Sequence, residues 1–309
     1  MSSSTNIKHK LNSFGLTPRK SLGQNFLTDD DTARRIVRLA NIKPDDIVIE
    51  IGPGIGALTK HLAQSAHKVI AIEIDQNLIP ILQQELAEAP NVTILHADAL
   101  DVDFTEAVRD VGGDQNSTVR VVGNLPYYIT SLIVRRVLES AIHTQAIVLT
   151  VQLEVAERMV AQPDDMSMLA VSVQVYGKPE LLMRLSPSAF YPQPDVDSAV
   201  VRIIPHRQVE NPQALFDLAR AGFSQKRKQL RNTLAAGLRL EKPAVDELLT
   251  AAAIDSTRRA ETLSIPEWSH LAQVYLAHGY AAVNRSERRT RDSDSIPVEA
   301  APSAANSTV

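Results

Sequence analysis

Short apolar stretches at Ile47–Ile51, Lys68–Ile74, Val92–His96, Val119–Val122 and Ala146–Val151 alternate with segments of helical length. No other feature of the chain limits its fold as strongly. A strand that is apolar at nearly every position must be buried on both faces, which calls for a parallel sheet with helices on either side. The spacing predicts helices over Thr32–Ala40, Ala57–Ala66 and Gln76–Ala89. Beyond Leu169 the connections shorten, and Val171–Tyr176, Leu181–Leu185 and Ala199–Ile204 are predicted as strands that finish the sheet in antiparallel fashion. From Asn211 to Ala282 only helical periodicity remains, as in Leu215, Leu218, Ala219 and Phe223, Leu230, Leu234 and Leu238, or Trp268, Leu271 and Leu276. The expected architecture is therefore α/β with a smaller, all-helical C-terminal domain. Its parts are a basic arm over 1–28, the α/β domain over 29–208, the helical domain over 209–283, and a tail over 284–309 whose composition predicts disorder.

With 309 residues, 44% of them hydrophobic and 22% charged, the chain has the makings of a soluble globular protein with a sizeable core. No apolar run reaches the roughly 20 residues of a membrane span. The Ser-rich, polar N-terminus lacks the apolar segment of a secretory signal. There is no cysteine, which excludes disulfides, thiolate nucleophiles and thiolate-bound zinc, and the eight histidines include no pair at metal-ligand spacing. A cytoplasmic protein without a bound metal is expected. The net charge of −4 hides a strong polarisation. Met1–Thr28 holds Lys8, Lys10, Arg19 and Lys20 but no acid, and Leu218–Leu240 holds Arg220, Lys226, Arg227, Lys228, Arg231 and Arg239 but no acid. Basic surface kept apart in this way suits phosphate groups. Lys226, Arg227, Lys228 and Arg231, expected on one helix, make a candidate RNA cradle whose grip is sensitive to salt.

Glu50-Ile51-Gly52-Pro53-Gly54-Ile55-Gly56 stands where the first strand hands over to a helix. Glycines there let the backbone come close to a ligand. Glu73, at the end of the second strand, can accept hydrogen bonds from both hydroxyls of a ribose. The loop alone fits either S-adenosylmethionine or a nicotinamide dinucleotide. Glu50, as a carboxylate at the strand end, would repel a pyrophosphate, and Asp98 after the third strand can accept from an adenine amino group.

Asn124-Leu125-Pro126-Tyr127, after the strand Val119–Val122, decides between the two. The lone pair of an exocyclic purine amine is delocalised into the ring. Two acceptors placed on its two protons pull the nitrogen toward a pyramidal shape and release that lone pair. The Asn124 side-chain oxygen and the Leu125 carbonyl can be those acceptors. Pro126 stiffens the turn and has no N–H of its own. Tyr127 can stack on a base drawn out of its helix, a contact worth roughly 1–3 kcal/mol per base.

Further blocks stand along the chain: Ser21-Leu22-Gly23-Gln24-Asn25-Phe26-Leu27, Val121 to Ile129 around the acceptor motif, Val151-Gln152-Leu153-Glu154-Val155-Ala156-Glu157-Arg158, Val196-Asp197-Ser198-Ala199-Val200-Val201, and Phe223 to Asn232. In these blocks and their order, from about Arg19 to His278, the chain resembles the rRNA adenine N6-dimethyltransferases of the KsgA/RsmA type, with their Erm and mitochondrial relatives. The resemblance implies a Rossmann-like class I methyltransferase sheet, S-adenosyl-L-methionine as cofactor and no metal. It implies two adjacent adenosines as substrate, in the 3′-terminal hairpin of 16S rRNA in the small ribosomal subunit, each methylated twice. By the same resemblance Asn25 and Leu27 touch the cofactor, Gly52 its amino-acid portion, Glu73 its ribose and Asp98 its adenine. Asn124 stands between cofactor and target amine, and Phe190 faces Tyr127 across the base. The chain departs from the family at Met166-Ser167-Met168, where an aromatic–glycine–arginine stretch is usual, and at Ala97, where glycine is usual. The alternatives are an Erm-like enzyme acting on 23S rRNA and a non-catalytic ribosome-assembly factor. The well-developed helical domain opposes the first, and the intact Asn124 and Gly52-Pro53-Gly54 oppose the second. An exposed RNA-binding face suits a monomer.

Overall fold

The computed structural model describes residues 3–125, 127–206 and 209–280, with side chains except those of residues 3–5, 127, 128 and 131. The expected tail over 284–309 lies outside the described residues. Two compact units emerge among the described residues, one of those up to Glu210 with Glu261–Ile265, the other of Asn211–Ala260 with residues 266–280. Among the described residues no helix is long and apolar enough to cross a membrane.

The first unit begins with helix α1 (Ser3–Ser13), strand β1 (Phe26–Leu27) and α2 (Asp30–Ala40). It continues through β2 (Ile47–Ile51), α3 (Thr59–Ser65), β3 (Lys68–Glu73), α4 (Ile79–Glu85), β4 (Val92–His96), α5 (Phe104–Asp110) and β5 (Val119–Asn124). Then come α6 (Tyr127–Glu139), β6 (Thr144–Gln152), α7 (Leu153–Met159), α8 (Met168–Gln174), β7 (Gly177–Leu185), β8 (Phe190–Tyr191) and β9 (Ser198–Pro205). Seven strands form one sheet in the order β4-β3-β2-β5-β6-β9-β7. The pairs from β4 to β6 are parallel, whereas β9 runs antiparallel to both β6 and β7. The strand order reverses between β2 and β5, and the carboxyl ends of strands beside such a reversal are where open α/β sheets take ligands.

Burial explains the apolar strands. Ile49, Val121, Ile147 and Leu149 are inaccessible on one side of the sheet with α5, α6 and α7, while Val48, Val69, Val122 and Val148 pack on the other with α2 and α3. Arg120 is the charged exception in β5: its Nε donates to Asp46 at 2.5 Å and its Nη1 to the Ala40 carbonyl at 3.2 Å. That buried pair fixes the amino end of β2 against β5.

Several expectations need correction. Val171–Tyr176 is not a strand: Ser167 caps the helix α8 by accepting from Ala170 N–H at 3.2 Å, and Val171 and Val173 face the core from it. A short apolar run reads alike in both periods, and the cap decides. The substituted Met166-Ser167-Met168 thus serves as a helix start, with Met166 N–H donating to the Glu261 carbonyl at 3.1 Å. The segment Gln76–Ala89 is a 3-10 turn followed by the shorter α4. The arm over 1–28 contains a helix, α1, whose Ile7 and Leu11 (one turn apart) are buried against Phe26, Ile55, Leu78 and Ile81. Helices α5, α6 and α7 had no counterpart in the sequence reading.

The second unit consists of α9 (Pro212–Gly222), α10 (Leu230–Leu238), α11 (Lys242–Ala251) and α12 (Ile265–Ala277), the last entered through Ile265 of the first unit. Leu215, Leu218, Leu230, Leu234, Leu248, Trp268 and Leu271 are among its inaccessible side chains. Gly237 allows α10 to lie against α9, since a Cβ there would come within 2.5 Å of the Ala221 Cβ.

Candidate active site

Beyond Ile51 the chain turns sharply, with Gly52, Gly54 and Gly56 at φ of +71°, +61° and +83°. Gly54 is doubly constrained. Its φ disfavours any side chain, and a Cβ would lie 3.0 Å from the Phe26 ring. Glu73, at the end of β3 and 4% exposed, holds this turn in place. Its Oε2 accepts from Gly54 N–H at 3.0 Å and its Oε1 from Asp75 N–H at 2.8 Å. Burial pushes the Glu73 pKa above the usual carboxylate range, although the two backbone N–H groups pull the other way. Each carboxylate oxygen has two lone pairs, so these bonds leave acceptor capacity for a hydroxyl.

The segment before β1 closes over the same place. Gln24 Nε2 donates to Asp75 at 2.7 Å, and Arg19 Nη1 to the same carboxylate at 3.2 Å. Burial works against the Asp75 charge, but donors from Asn77 and Gln24 and the Arg19 cation outweigh it and hold the pKa below the usual range. One residue on, the Asn25 carbonyl accepts from Asn124 Nδ2 at 2.8 Å. On the far side Asp98 Oδ1 accepts from Leu100 N–H at 2.9 Å, which aims the half-buried carboxylate.

These groups enclose a cavity of about 260 Å³ at the carboxyl ends of β2, β3 and β5. Of the residues expected to bind cofactor or target amine, Asn25, Gly52, Glu73, Asp98, Asn124 and Leu125 line it together. Leu27 does not. In the two-stranded pairing of β1 with β8 it lies opposite Phe190, and it packs with the core under α2, while its neighbour Phe26 faces the cavity. Alternation along a strand gives the two residues opposite faces. Phe190 is likewise a core residue, 2% exposed, so a base reaches its ring only if the β1–β8 pair opens. Tyr127 begins α6, and its side chain lies outside the described residues, as does Pro126.

The apolar walls went unread in the sequence. Ile74, 49% exposed, and Leu100, Leu78 and Ile129 line the cavity. The only signal in the sequence was an isoleucine directly after the acid that ends a strand. Glu50 also differs from expectation. Its side chain does not line the cavity, is 1% exposed, and leaves Oε2 without a hydrogen-bond partner among the described residues. Burial pushes its pKa up to about 8, and the neighbouring Glu73 adds to the shift. A carboxyl that is mostly protonated at neutral pH cannot repel a pyrophosphate, so Glu50 does not discriminate between cofactors in the way its position suggested.

Lys226, Arg227 and Lys228 are exposed, but they sit in the turn between α9 and α10 rather than on a helix. Arg231, in the first turn of α10, is separated from them in role, because its guanidinium donates to Asp246 at 2.5 Å. Among the described residues no group of three or more His, Asp or Glu side chains is placed to hold a metal ion.

The sequence model of the ribosomal RNA adenine dimethylases matches residues 15–272. A ribosomal RNA small subunit methyltransferase A of Alkaliphilus metalliredigens is 46% identical over 265 residues, which cover 84% of this chain and 92% of that one. One of Dehalococcoides mccartyi is 42% identical, covering 87% and 92%. Among solved structures, a dimethyladenosine transferase from Plasmodium falciparum superposes with a TM-score of 0.71 at 26% identity, covering 82% of this chain and 98% of that one. The 23S rRNA methyltransferase ErmE gives 0.63 at 27% identity, covering 81% and 99%.

Proposed function

Since the chain belongs to the ribosomal RNA adenine dimethylase family, we propose that it dimethylates N6 of two adjacent adenosines in the 3′-terminal hairpin of 16S rRNA, as a monomer acting on the small ribosomal subunit in the cytoplasm. The family makes it an enzyme that uses S-adenosyl-L-methionine, and the cavity has groups that suit this cofactor. Two carboxylates that retain acceptor capacity, Glu73 and Asp98, suit ribose hydroxyls and an adenine amino group, and Ile74 and Leu100 offer apolar surface for a purine. Gly52 and the Asn25 backbone suit the amino-acid end. When bound, the cofactor supplies a methyl group on a sulfonium centre, a leaving group good enough to need no nucleophilic side chain.

The observation that carries the reading is the state of Asn124. A carbonyl can only accept, so the bond to Asn25 O commits the Nδ2 side of the amide and leaves Oδ1 as the acceptor for a substrate amine. Leu125 follows directly, with its N–H donating to Thr150 O at 3.2 Å, so the turn that presents its carbonyl is tied to β6. Oδ1 and that carbonyl together receive the two N6 protons and free the nitrogen lone pair for attack. Tyr127 flanks the base on one side, and Phe190, buried in the β1–β8 pair, takes the other side only when that pair opens. The exposed Lys226, Arg227 and Lys228 of the helical segment over 209–283 receive RNA phosphates, whereas Arg231 serves mainly to brace α10 against α11.

The test is methyl transfer from labelled S-adenosyl-L-methionine to undermethylated small subunits, followed by mass spectrometry of the digested RNA. Dimethyladenosine in the 3′-terminal hairpin is the expected product. Modification of large-subunit RNA instead would move the enzyme to the substrate of ErmE.

A further inference from the structure

The residues that grip the chain ahead of β1 do not themselves touch the reacting amine in the proposed reaction, yet they end on the atom that orients Asn124. Gln24 is used at both ends of its amide. Its Oε1 accepts from Arg19 N–H at 2.8 Å, which closes the Arg19–Gln24 turn on itself, and its Nε2 donates to Asp75 at 2.7 Å, which ties that turn to the end of β3. Asp75 is 3% exposed, and its other oxygen, Oδ1, is filled by Asn77 N–H, Asn77 Nδ2 and Arg19 Nη1 at 3.1, 2.8 and 3.2 Å. The carboxylate therefore has one oxygen anchored to its own turn and one committed to Gln24. The very next carbonyl after Gln24 is that of Asn25, the acceptor for Asn124 Nδ2. The segment is pinned on its other side by Phe26, whose ring meets Gly54.

We infer that Gln24 and Asp75 are positioning residues for methyl transfer: their hydrogen bond holds the Asn25 carbonyl where it keeps the Asn124 amide turned with Oδ1 toward the target amine. Without that carbonyl the amide has no reason to prefer one of its two orientations, and the flipped one offers N–H donors to an amine that must itself donate. The inference rests on the acceptor role proposed for Asn124 and adds the groups that set it before substrate arrives.

Donor and acceptor can be exchanged to test this. Gln24→Glu preserves the acceptor for Arg19 N–H but sets a carboxylate oxygen against Asp75. Adding Asp75→Asn keeps an oxygen for Asn77 and puts an N–H₂ group opposite the new carboxylate, so the bond returns with its direction reversed. Methyl transfer is measured at saturating S-adenosyl-L-methionine, cofactor Kd by calorimetry, and the Asn124 side-chain amide by ¹⁵N NMR, its signals identified by their loss in Asn124→Ala. In Gln24→Glu we expect kcat to fall by about tenfold or more, in keeping with the cost of misplaced catalytic groups, and the amide signals to move. The double variant should recover kcat to within about threefold and return the signals. Gln24→Ala, which removes the bond without adding charge, gives the same sign and covers poor folding of the first variant. A kcat within about twofold of the parent in both single variants, or a double variant no better than Gln24→Glu, overturns the proposal. If the parent methylates no small subunits, the functional reading fails while the amide signals still report whether Gln24 and Asp75 orient Asn124.

Discussion

At the scale of single residues the site divides its polar groups between those that hold the protein and those that remain for ligands. Asn124 does both, one end of its amide bound to Asn25 and the other left to accept. Asn124→Ala should lower methyl transfer by at least about a hundredfold, the scale of losing one transition-state hydrogen-bond partner, with cofactor Kd changed by less than about threefold. Radiolabel transfer and calorimetry check the two halves, and activity within about twofold of the parent would end the acceptor role. Glu50 stands at the other extreme, fully buried and mostly neutral. Its folded pKa of about 8 lies above the ordinary value of 4.5. The folded state therefore holds a proton that the unfolded chain releases, and stability declines as pH rises from about 4.5 to about 8. Glu50→Gln removes this dependence. Urea unfolding of the two proteins at pH 5, 7 and 8.5 should show the variant gaining on the parent with pH, by a total on the order of a few kcal/mol. A constant difference would mean that Glu50 does not titrate in this window.

At the scale of elements, α1 was the least legible part of the chain and the basic turn the most misleading. The stretch Ser3–Ser13 is polar apart from Ile7 and Leu11, and two apolar residues one turn apart give a weak periodic signal. What makes a helix of it is the surface it covers, Phe26, Ile55, Leu78 and Ile81, together with the ion pair of Lys10 with Glu85 at 2.8 Å and the contact of Lys60 with the same carboxylate. Leu11→Ala, at a side chain 1% exposed, should cost about 2–3 kcal/mol in chemical denaturation. Because Phe26 joins this cluster to Gly54, cofactor affinity should weaken as well. In Phe223–Asn232 the composition announced phosphate binding but not its support. Ser224 to Gln229 form a turn, and only from Leu230 does the chain become helical. Replacing Lys226, Arg227 and Lys228 by Glu should reduce affinity for small subunits by about tenfold or more at low salt, with a smaller effect at high salt. Filter binding across a salt series reads this directly, and a salt slope equal to the parent's would place the RNA elsewhere.

At the scale of the whole molecule, the sheet from β2 to β6 could be read because burial on both faces writes itself into nearly every residue of a strand. Among the helices between them, α3 and α4 were read and α5, α6 and α7 were not; length does not separate the two groups, since α3, α4, α5 and α7 each have seven residues and α6 has thirteen. In the candidate site, Glu73, Asp98 and Asn124 stood out as polar side chains at or just beyond strand ends, whereas Asn25 and the contact of Gly52 with the cofactor came from the family resemblance; all five line the one cavity. Gln24, Asp75 and Ile74 were not legible, since their roles depend on partners fifty or more positions away or on a wall that only the fold creates. The sheet order carries one more consequence. Strand β7 is made before β9 but lies outside it, so β9 must come between β6 and β7. A chain leaving the ribosome therefore shows β7 with neither edge satisfied until residue 198 and beyond have emerged. The natural order is for β9 to fold back on β7 as a hairpin and for the pair to dock on β6 together. Strand β8, the partner of β1, lies in the connection between these two strands. The residues of β1 thus gain their strand partner only from a segment made some 160 positions later, and until then the sheet keeps an unfinished edge of the kind that invites aggregation.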